Sequence, residues 1–293
     1  MKKFLTIFTP TYNRRHTLKR LYDSLDNQTC YQFEWLIVDD GSTDETKELI
    51  EELIRLNSNK FKIRYYYQEN SGKHVANNLG LKKAKGNLFT CLDSDDWLYS
   101  NAVEFIIEKF NTNYEVNGFI ALDTFDDGRI VGEELPRKKE INWINLRYVE
   151  KVKGDKCYVF KTNVIKQFPF PQYGNSRHMP PSYQLVDYSK HYSFYLFNTP
   201  IKYVEYQEDG ITSNVRKNYF ESAENYCLYR INIHEYLPNN LEKIKNIILY
   251  NFSWIELKLD KNYSFKGKEH LLSILLLPLS LPLYTVLKRR IQK

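Results

Sequence analysis

The chain is short of glycine and has no glycine-rich phosphate loop. Its 293 residues include 11 glycines. No G-x-G-x-x-G follows the first apolar run, which argues against a dinucleotide-dependent oxidoreductase. No G-x-x-x-x-G-K-[ST] occurs, which argues against a P-loop enzyme. A nucleotidyltransferase would need a glycine-rich, lysine-containing loop after its first strand, and that too is missing. Only four cysteines occur, Cys30, Cys91, Cys157 and Cys227, and no two have metal-ligand spacing. They read as reduced thiols rather than a disulfide framework. Met1-Lys2-Lys3 precedes only a short apolar stretch broken by Pro10, which does not read as a signal peptide. The longest apolar stretch, Leu271–Leu283, is interrupted by Pro278 and Pro282 and falls short of the about 20 residues a spanning helix needs. There are no repeats or low-complexity tracts.

What is present is a globular composition, 42% hydrophobic and 15% aromatic, enough to build one large domain or a domain with an appendage. The first hundred residues alternate short apolar runs with helical periodicity. Strands are expected at Phe4–Phe8, Trp35–Val38, Ile63–Tyr67 and Leu88–Leu92. Helices are expected over 14–27, 43–56 and 73–84, with another beginning near Ser100. This alternation predicts an α/β fold with a doubly wound, mainly parallel sheet. Beyond residue 115 the pattern shifts. Phe119–Leu122 and Arg129–Val131 flank Asp126-Asp127-Gly128, a hairpin turn. Cys157–Lys161, Tyr192–Phe197 and Ile201–Tyr206 read as strands, and 182–190, 217–236 and 239–258 as helices.

Parallel strands end at one sheet edge, where open α/β sheets bind ligands. Each unusual polar cluster stands at such an end. Thr9-Pro10-Thr11-Tyr12-Asn13 offers hydroxyls, amides and an aromatic face for a base. Asp39-Asp40-Gly41-Ser42 places carboxylates where a base N–H could donate, or else forms a turn before a capped helix. Ser71-Gly72-Lys73-His74 puts a cation at a helix start, where phosphates are welcome; a solvated surface lysine is the plain alternative. Asp93-Ser94-Asp95-Asp96 crowds three carboxylates into four residues. Such crowding raises their pKa values unless a cation joins them. Oxygen-only ligands suit Mg²⁺ or Mn²⁺ arriving with a substrate's phosphates. A polar turn capping the next helix is the alternative.

The charge of +6 is uneven. Residues 216–293 hold 13 Lys and Arg against 7 Asp and Glu, whereas residues 1–215 hold 29 of each. With the apolar run before Lys288-Arg289-Arg290, this makes residues 271–293 a candidate membrane-surface tail. Packing against the domain, or against another protein, is the competing reading. No nucleic-acid-reading module accompanies the basic residues, so no nucleic-acid partner is expected.

Phe8-Thr9-Pro10-Thr11-Tyr12-Asn13-Arg14, Val38-Asp39-Asp40-Gly41-Ser42-Thr43-Asp44 and Leu92-Asp93-Ser94-Asp95-Asp96 resemble, in order and spacing, the signature blocks of family 2 glycosyltransferases. The likeness is strong over residues 4–110. It extends more loosely to 215 through Gly154-Asp155-Lys156, Phe168-Pro169-Phe170-Pro171 and Glu205–Gly210, which resemble bacterial polysaccharide-synthesis members. The resemblance implies a GT-A fold over residues 1–215, with a nucleotide-sugar half (1–115) and an acceptor half (116–215); residues 216–293 carry none of its motifs and read from their own pattern as a helical extension. It implies an inverting transfer of a hexose-type sugar from a nucleotide-sugar donor, a UDP-sugar, to a lipid-linked or polysaccharide acceptor in capsule or other surface glycan assembly. A cytoplasmic enzyme peripheral on the inner face of the bacterial membrane is expected, with self-association left open.

By the same carry-over, Thr9, Pro10, Thr11, Tyr12 and Asn13 line the nucleoside pocket. Asp40 receives the uracil N–H with Asp39 beside it, and Lys73 lies near the diphosphate. Asp93 and Asp95 form the DXD pair that reaches Mn²⁺ or Mg²⁺ and the donor, with Ser94 between them. Asp96 lies next to the metal and the donor sugar. The chain departs from the pattern at Pro181, where related capsule enzymes are expected to carry a Glu as general base. Asp187, Glu205, Glu208 and Asp209 are the nearby carboxylates, and Asp187 is the candidate. The departure leaves open a catalytically weakened nucleotide-sugar-binding partner of a glycan-synthesis complex.

Overall fold

The structure, a computed structural model, describes residues 4–57, 60–112, 115–172, 174, 176–207, 210 and 215–291. The first half is β1 (Leu5–Thr11), α1 (Arg15–Asp26), β2 (Phe33–Asp39), α2 (Thr46–Leu56), β3 (Lys62–Tyr67), α3 (Lys73–Lys83) and β4 (Leu88–Cys91). β1 and β2 are buried along their whole length, as central parallel strands covered on both faces must be. The alternation of side chains assigns the two faces. Leu5, Ile7, Trp35 and Ile37 pack with Leu18, Leu21 and Leu25 of α1 and Ile50 and Leu53 of α2. Phe8, Leu36 and Val38 pack on the other side with Ala76 and Leu81 of α3.

The second half contains β5 (Trp97–Leu98), α4 (Ala102–Thr112), β6 (Gly118–Thr124), β7 (Glu140–Ile141), α5 (Trp143–Tyr148), β8 (Lys156–Lys161), α6 (Thr162–Ile165), α7 (Ser182–Ser189) and β9 (Phe194–Tyr203). The sheet runs β3-β2-β1-β4-β8-β6-β9-β5, with β7 also on β9. Pairing is parallel through β3-β2-β1-β4 and between β6 and β9. It is antiparallel at β4–β8, β6–β8, β5–β9 and β7–β9. The sheet is therefore mixed, flanked by helices, and its order reverses between β1 and β4. That reversal opens the crevice in which such sheets bind ligands.

Some expectations change. Residues 192–206 do not form two strands. A single β9 runs through Pro200, and its register shifts opposite Leu122, so the ring that lacks an N–H sits at an irregularity. The Asp126-Asp127-Gly128 turn forms, with Gly128 at φ 83° and a bond of 2.8 Å from Phe125 N–H to Arg129 O. Its second arm is one bridge, Thr124 to Ile130, rather than a strand. The helix expected over 217–236 is split at Ser222 into α8 (Val215–Glu221) and α9 (Ala223–His234). α10 (Asn240–Glu256) starts at Asn239, whose side chain accepts from Glu242 N–H at 3.0 Å, a normal N-cap. A 3-10 turn, Lys261–Tyr263, leads to α11 (Gly267–Leu275) and α12 (Leu277–Ile291).

Candidate functional site

The strand ends on either side of the reversal carry the clusters singled out in the sequence. β1 is longer than its apolar run suggests. Thr9, Pro10 and Thr11 are buried within it, while Tyr12 and Asn13 emerge at its end. The Thr9 hydroxyl is used internally, accepting from Trp35 Nε1 at 2.9 Å. Asn13 adopts φ 51°. Its N–H donates to Ser42 Oγ (2.9 Å) and its Oδ1 accepts from Thr43 N–H (2.8 Å), which ties the first loop to the second.

Asp39 and Asp40 are both buried. Asp39 accepts from Ser42 N–H (2.8 Å) and from the Tyr65 hydroxyl (2.9 Å). Asp40 accepts from Gln68 Nε2 (2.7 Å), Ser71 N–H (2.8 Å) and Gly72 N–H (2.8 Å). A carboxylate so engaged fastens the loop that presents Lys73. Gly72, at φ 98°, lies against the Arg177 carbonyl so closely that a Cβ would sit 1.9 Å from it. Only glycine meets both demands.

Lys73 Nζ lies 2.7 Å from the Asp93 carboxylate. Asp93, Asp95 and Asp96 can each offer an oxygen within 4.8 Å of the others. Ser94 is buried inside the turn, which Asp96 N–H closes onto Asp93 O at 3.0 Å. Burial opposes the charge on Asp93, but Lys73 and Lys202 outweigh it and hold that carboxyl below its ordinary range. Burial and the neighbouring Asp93 charge raise Asp95. Burial, reinforced by Asp93 and opposed by Lys202, pushes Asp96 up to about 7. Three close carboxylates that ionise against one another and offer oxygen ligands fit a hard divalent cation. Asp93 and Asp95 are the half-exposed pair that would hold it.

Several side chains at the site were not legible in the sequence. Lys202 on β9 is buried and pairs with Asp96 at 2.8 Å and with Asp123 at 3.2 Å. Asp123 is fully buried, and burial pushes its pKa up to about 6 against the pull of Lys202. Arg20 of α1 donates to the Asp95 carbonyl (3.0 Å) and to Glu205 (2.6 Å), and its guanidinium stacks 3.9 Å from the Trp97 ring centre. The segment before α7 rests on the Lys73 turn. His178 lies there, its pKa lowered to about 4 by burial and then by Lys73 and His74, its ring against Tyr226 at 5.8 Å. Asn225 of α9 braces that segment by donating to the carbonyls of Ser176 (3.3 Å) and His178 (3.0 Å).

Asp187 is not brought into this group. Its carboxylate pairs with Lys190 at 2.5 Å and accepts from Asn232 Nδ2 of α9 at 3.0 Å. Pro181 stands at the N-cap of α7. Glu208 and Asp209 lie outside the described residues. Glu205 is linked to the acidic loop through Arg20.

The sequence pattern of Glycosyl transferase family 2 matches residues 6–168, more than half of the chain and the whole of the crevice-forming half. The chain belongs to glycosyl transferase family 2. Among its relatives is the GalNAc(5)-diNAcBac-PP-undecaprenol beta-1,3-glucosyltransferase of Campylobacter jejuni, 27% identical over 273 residues, which cover 88% of this chain and 84% of that protein. Among solved structures, S. aureus TarS 1–349 in complex with UDP-GlcNAc superposes with a TM-score of 0.60 at 20% identity, covering 86% of this chain and 72% of that one. The mannosyltransferase PcManGT of Pyrobaculum calidifontis, in complex with GDP-Man and Mn2+, gives 0.55 at 15% identity, covering 99% and 83%. The fold of this family 2 member is the GT-A arrangement, with its acidic turn at the switch point between β1 and β4.

Proposed function

We propose that this family 2 glycosyltransferase moves a hexose-type sugar from a UDP-sugar, with inversion at the anomeric carbon, to a lipid-linked or polysaccharide acceptor of bacterial surface glycan synthesis. The carrying observation is the Asp93-Asp95-Asp96 group beside Lys73 at the sheet's switch point. Two similar proteins support the reading: one named for an undecaprenol-linked substrate, one solved with a UDP-sugar.

In this reading residues 1–115 hold the donor and 116–215 the acceptor, and residues 216–293 form an extension. Tyr12 stacks on the base and Asn13 shapes the loop around it. Asp40 uses three of its roughly four acceptor positions on the Gln68–Gly72 loop, which leaves one for a base N–H, with Asp39 rigid beside it. Lys73 faces the diphosphate. Mg²⁺ or Mn²⁺, held by Asp93 and Asp95, would supply positive charge to the departing diphosphate. Asp96, kept beside Lys202, borders the donor sugar. The proton of the attacking hydroxyl leaves toward the acceptor half. The enzyme works on the inner face of the membrane.

Calorimetry with UDP and Mn²⁺ tests the donor site. Wild type binds UDP only with the cation, and Asp95→Ala loses that binding. Unchanged binding in Asp95→Ala would refute the assignment. A second reading, a nucleotide-sugar-binding partner without transfer, is favoured by Pro181 at the expected base position and by the ion pair that occupies Asp187. Hydrolysis or transfer across a panel of UDP- and dTDP-sugars separates the two.

A further inference from the structure

The C-terminal helices are built inside out. α12 turns Ser280, Tyr284 and Lys288, one helical turn apart, toward α10. Asn251 Nδ2 of α10 donates to Ser273 O at 2.9 Å and to Ser280 Oγ at 3.0 Å. The Tyr284 hydroxyl and Lys288 both reach Glu256, at 2.7 and 2.5 Å. Both serines are wholly buried. The outer side carries Leu271, Leu275, Leu279, Leu283 and Val286, and Leu275 is 75% exposed. Leu276 and Leu277, at the bend, pack against the Tyr250 and Trp254 cluster, and the His270 ring meets Trp254 edge-on at 5.6 Å. A helix bathed in water shows the opposite pattern, apolar face inward and polar face outward. An apolar surface of this extent marks a contact.

The occupant follows from length and charge. Among the described residues no single helix is long and apolar enough to cross a bilayer, and α11 and α12 are bent by 62°. α12 has 15 residues, about 22 Å of helix against a hydrocarbon core of about 30 Å. It is also bonded along its length to α10. Together the two helices have the length and composition of a broken span, but the 62° bend and the bonds that hold α12 on α10 suit the plane of an interface better. Basic residues bracket the apolar surface: Lys266 and Lys268 before it, Arg289 and Arg290 after it, all exposed. Two copies meeting through this face would bring their like charges together, whereas anionic headgroups would neutralise them.

We infer that α11 and α12 are a preset platform, seated serine-side on α10 through Asn251, whose partner is an anionic bilayer surface entered in plane. The inference gives residues to the membrane-face part of the proposed function and rests on that reading for its purpose.

The test is co-sedimentation of the full chain with vesicles of phosphatidylcholine alone and of phosphatidylcholine with phosphatidylglycerol. Wild type pellets with the mixed vesicles and is released by salt. Leu275→Glu/Leu279→Glu lowers the partition at least about tenfold. Arg289→Ala/Arg290→Ala weakens binding to the mixed vesicles and flattens its salt dependence. Because these side chains are exposed, both variants keep the wild-type melting curve. Wild-type pelleting of Leu275→Glu/Leu279→Glu would overturn the inference, as would equal, salt-insensitive binding to both vesicle types. A wild-type dimer that ignores vesicles and is dissolved by the leucine variant would make the face a contact between copies instead. UDP binding with Mn²⁺ on the same samples separates the two readings. Vesicle binding without UDP binding leaves the platform standing and removes the proposed activity.

Discussion

Lys202 joins a carboxylate of the acidic turn to one on β6: its Nζ lies 2.8 Å from Asp96 and 3.2 Å from Asp123. All three side chains are buried. One cation on β9 thereby ties the acidic turn after β4 to β6. Replacing it with an apolar residue strands two carboxylates. Lys202→Met should cost about 3–5 kcal/mol, the usual penalty for breaking a buried pair. Adding Asp123→Asn should recover part of that loss. Urea unfolding of the three proteins measures both.

The same carboxylates set a pH dependence. Asp96 is pushed up to about 7 and Asp123 to about 6, chiefly by burial. Their ordinary value is about 3.9. The folded state thus binds these protons more tightly than the unfolded chain does. Their contribution to stability is complete below about pH 4 and is lost as pH rises toward 7. A bound divalent cation competes with the protons and relieves the repulsion. The melting temperature should therefore rise more on adding Mn²⁺ at pH 7.5 than at pH 5, both compared with chelated protein. An equal increment at both pH values would contradict the assignment.

Arg20 holds the Asp95 carbonyl, Glu205 and the Trp97 face at once. Arg20→Leu should weaken Mn²⁺-dependent UDP binding about tenfold, the scale of lost outer-shell support at a metal site. Arg20→Lys should restore little, because an ammonium cannot stack on Trp97 while donating to two oxygens in a fixed fork. Calorimetry on the pair measures this.

Asp187 faces Lys190 and Asn232. Asp187→Asn should lower stability by about 1 kcal/mol, as loss of a charge-assisted bond does, and leave transfer within about threefold. A collapse of turnover with UDP binding intact would instead make Asp187 the proton acceptor.

The first half was readable because its determinants are local. Period-3.6 and period-2 patterns in the first hundred residues forecast β1–β4 and α1–α3 with errors of a few positions at the ends. The acidic turn announced itself as three carboxylates after an apolar run. The second half was less legible. Its strands pair antiparallel with partners far along the chain, and Pro200 suggested a break where the sheet accommodates it with a register shift. Lys202 did carry a faint signal, a lone cation between Ile201 and Tyr203 on an apolar strand, but its partner Asp96 lies 106 positions away.

The sequence by itself determined the class of fold, the order of the four strand-end clusters and the uneven charge of the tail, since all three follow from residue type and short-range spacing. Only the tertiary structure decided which carboxylates share a cation, that Asp187 is engaged elsewhere, and that the tail turns its serines inward and its leucines outward. Those outcomes depend on which surfaces the chain brings together across the sheet and across α10, and burial fixes them only once those surfaces meet.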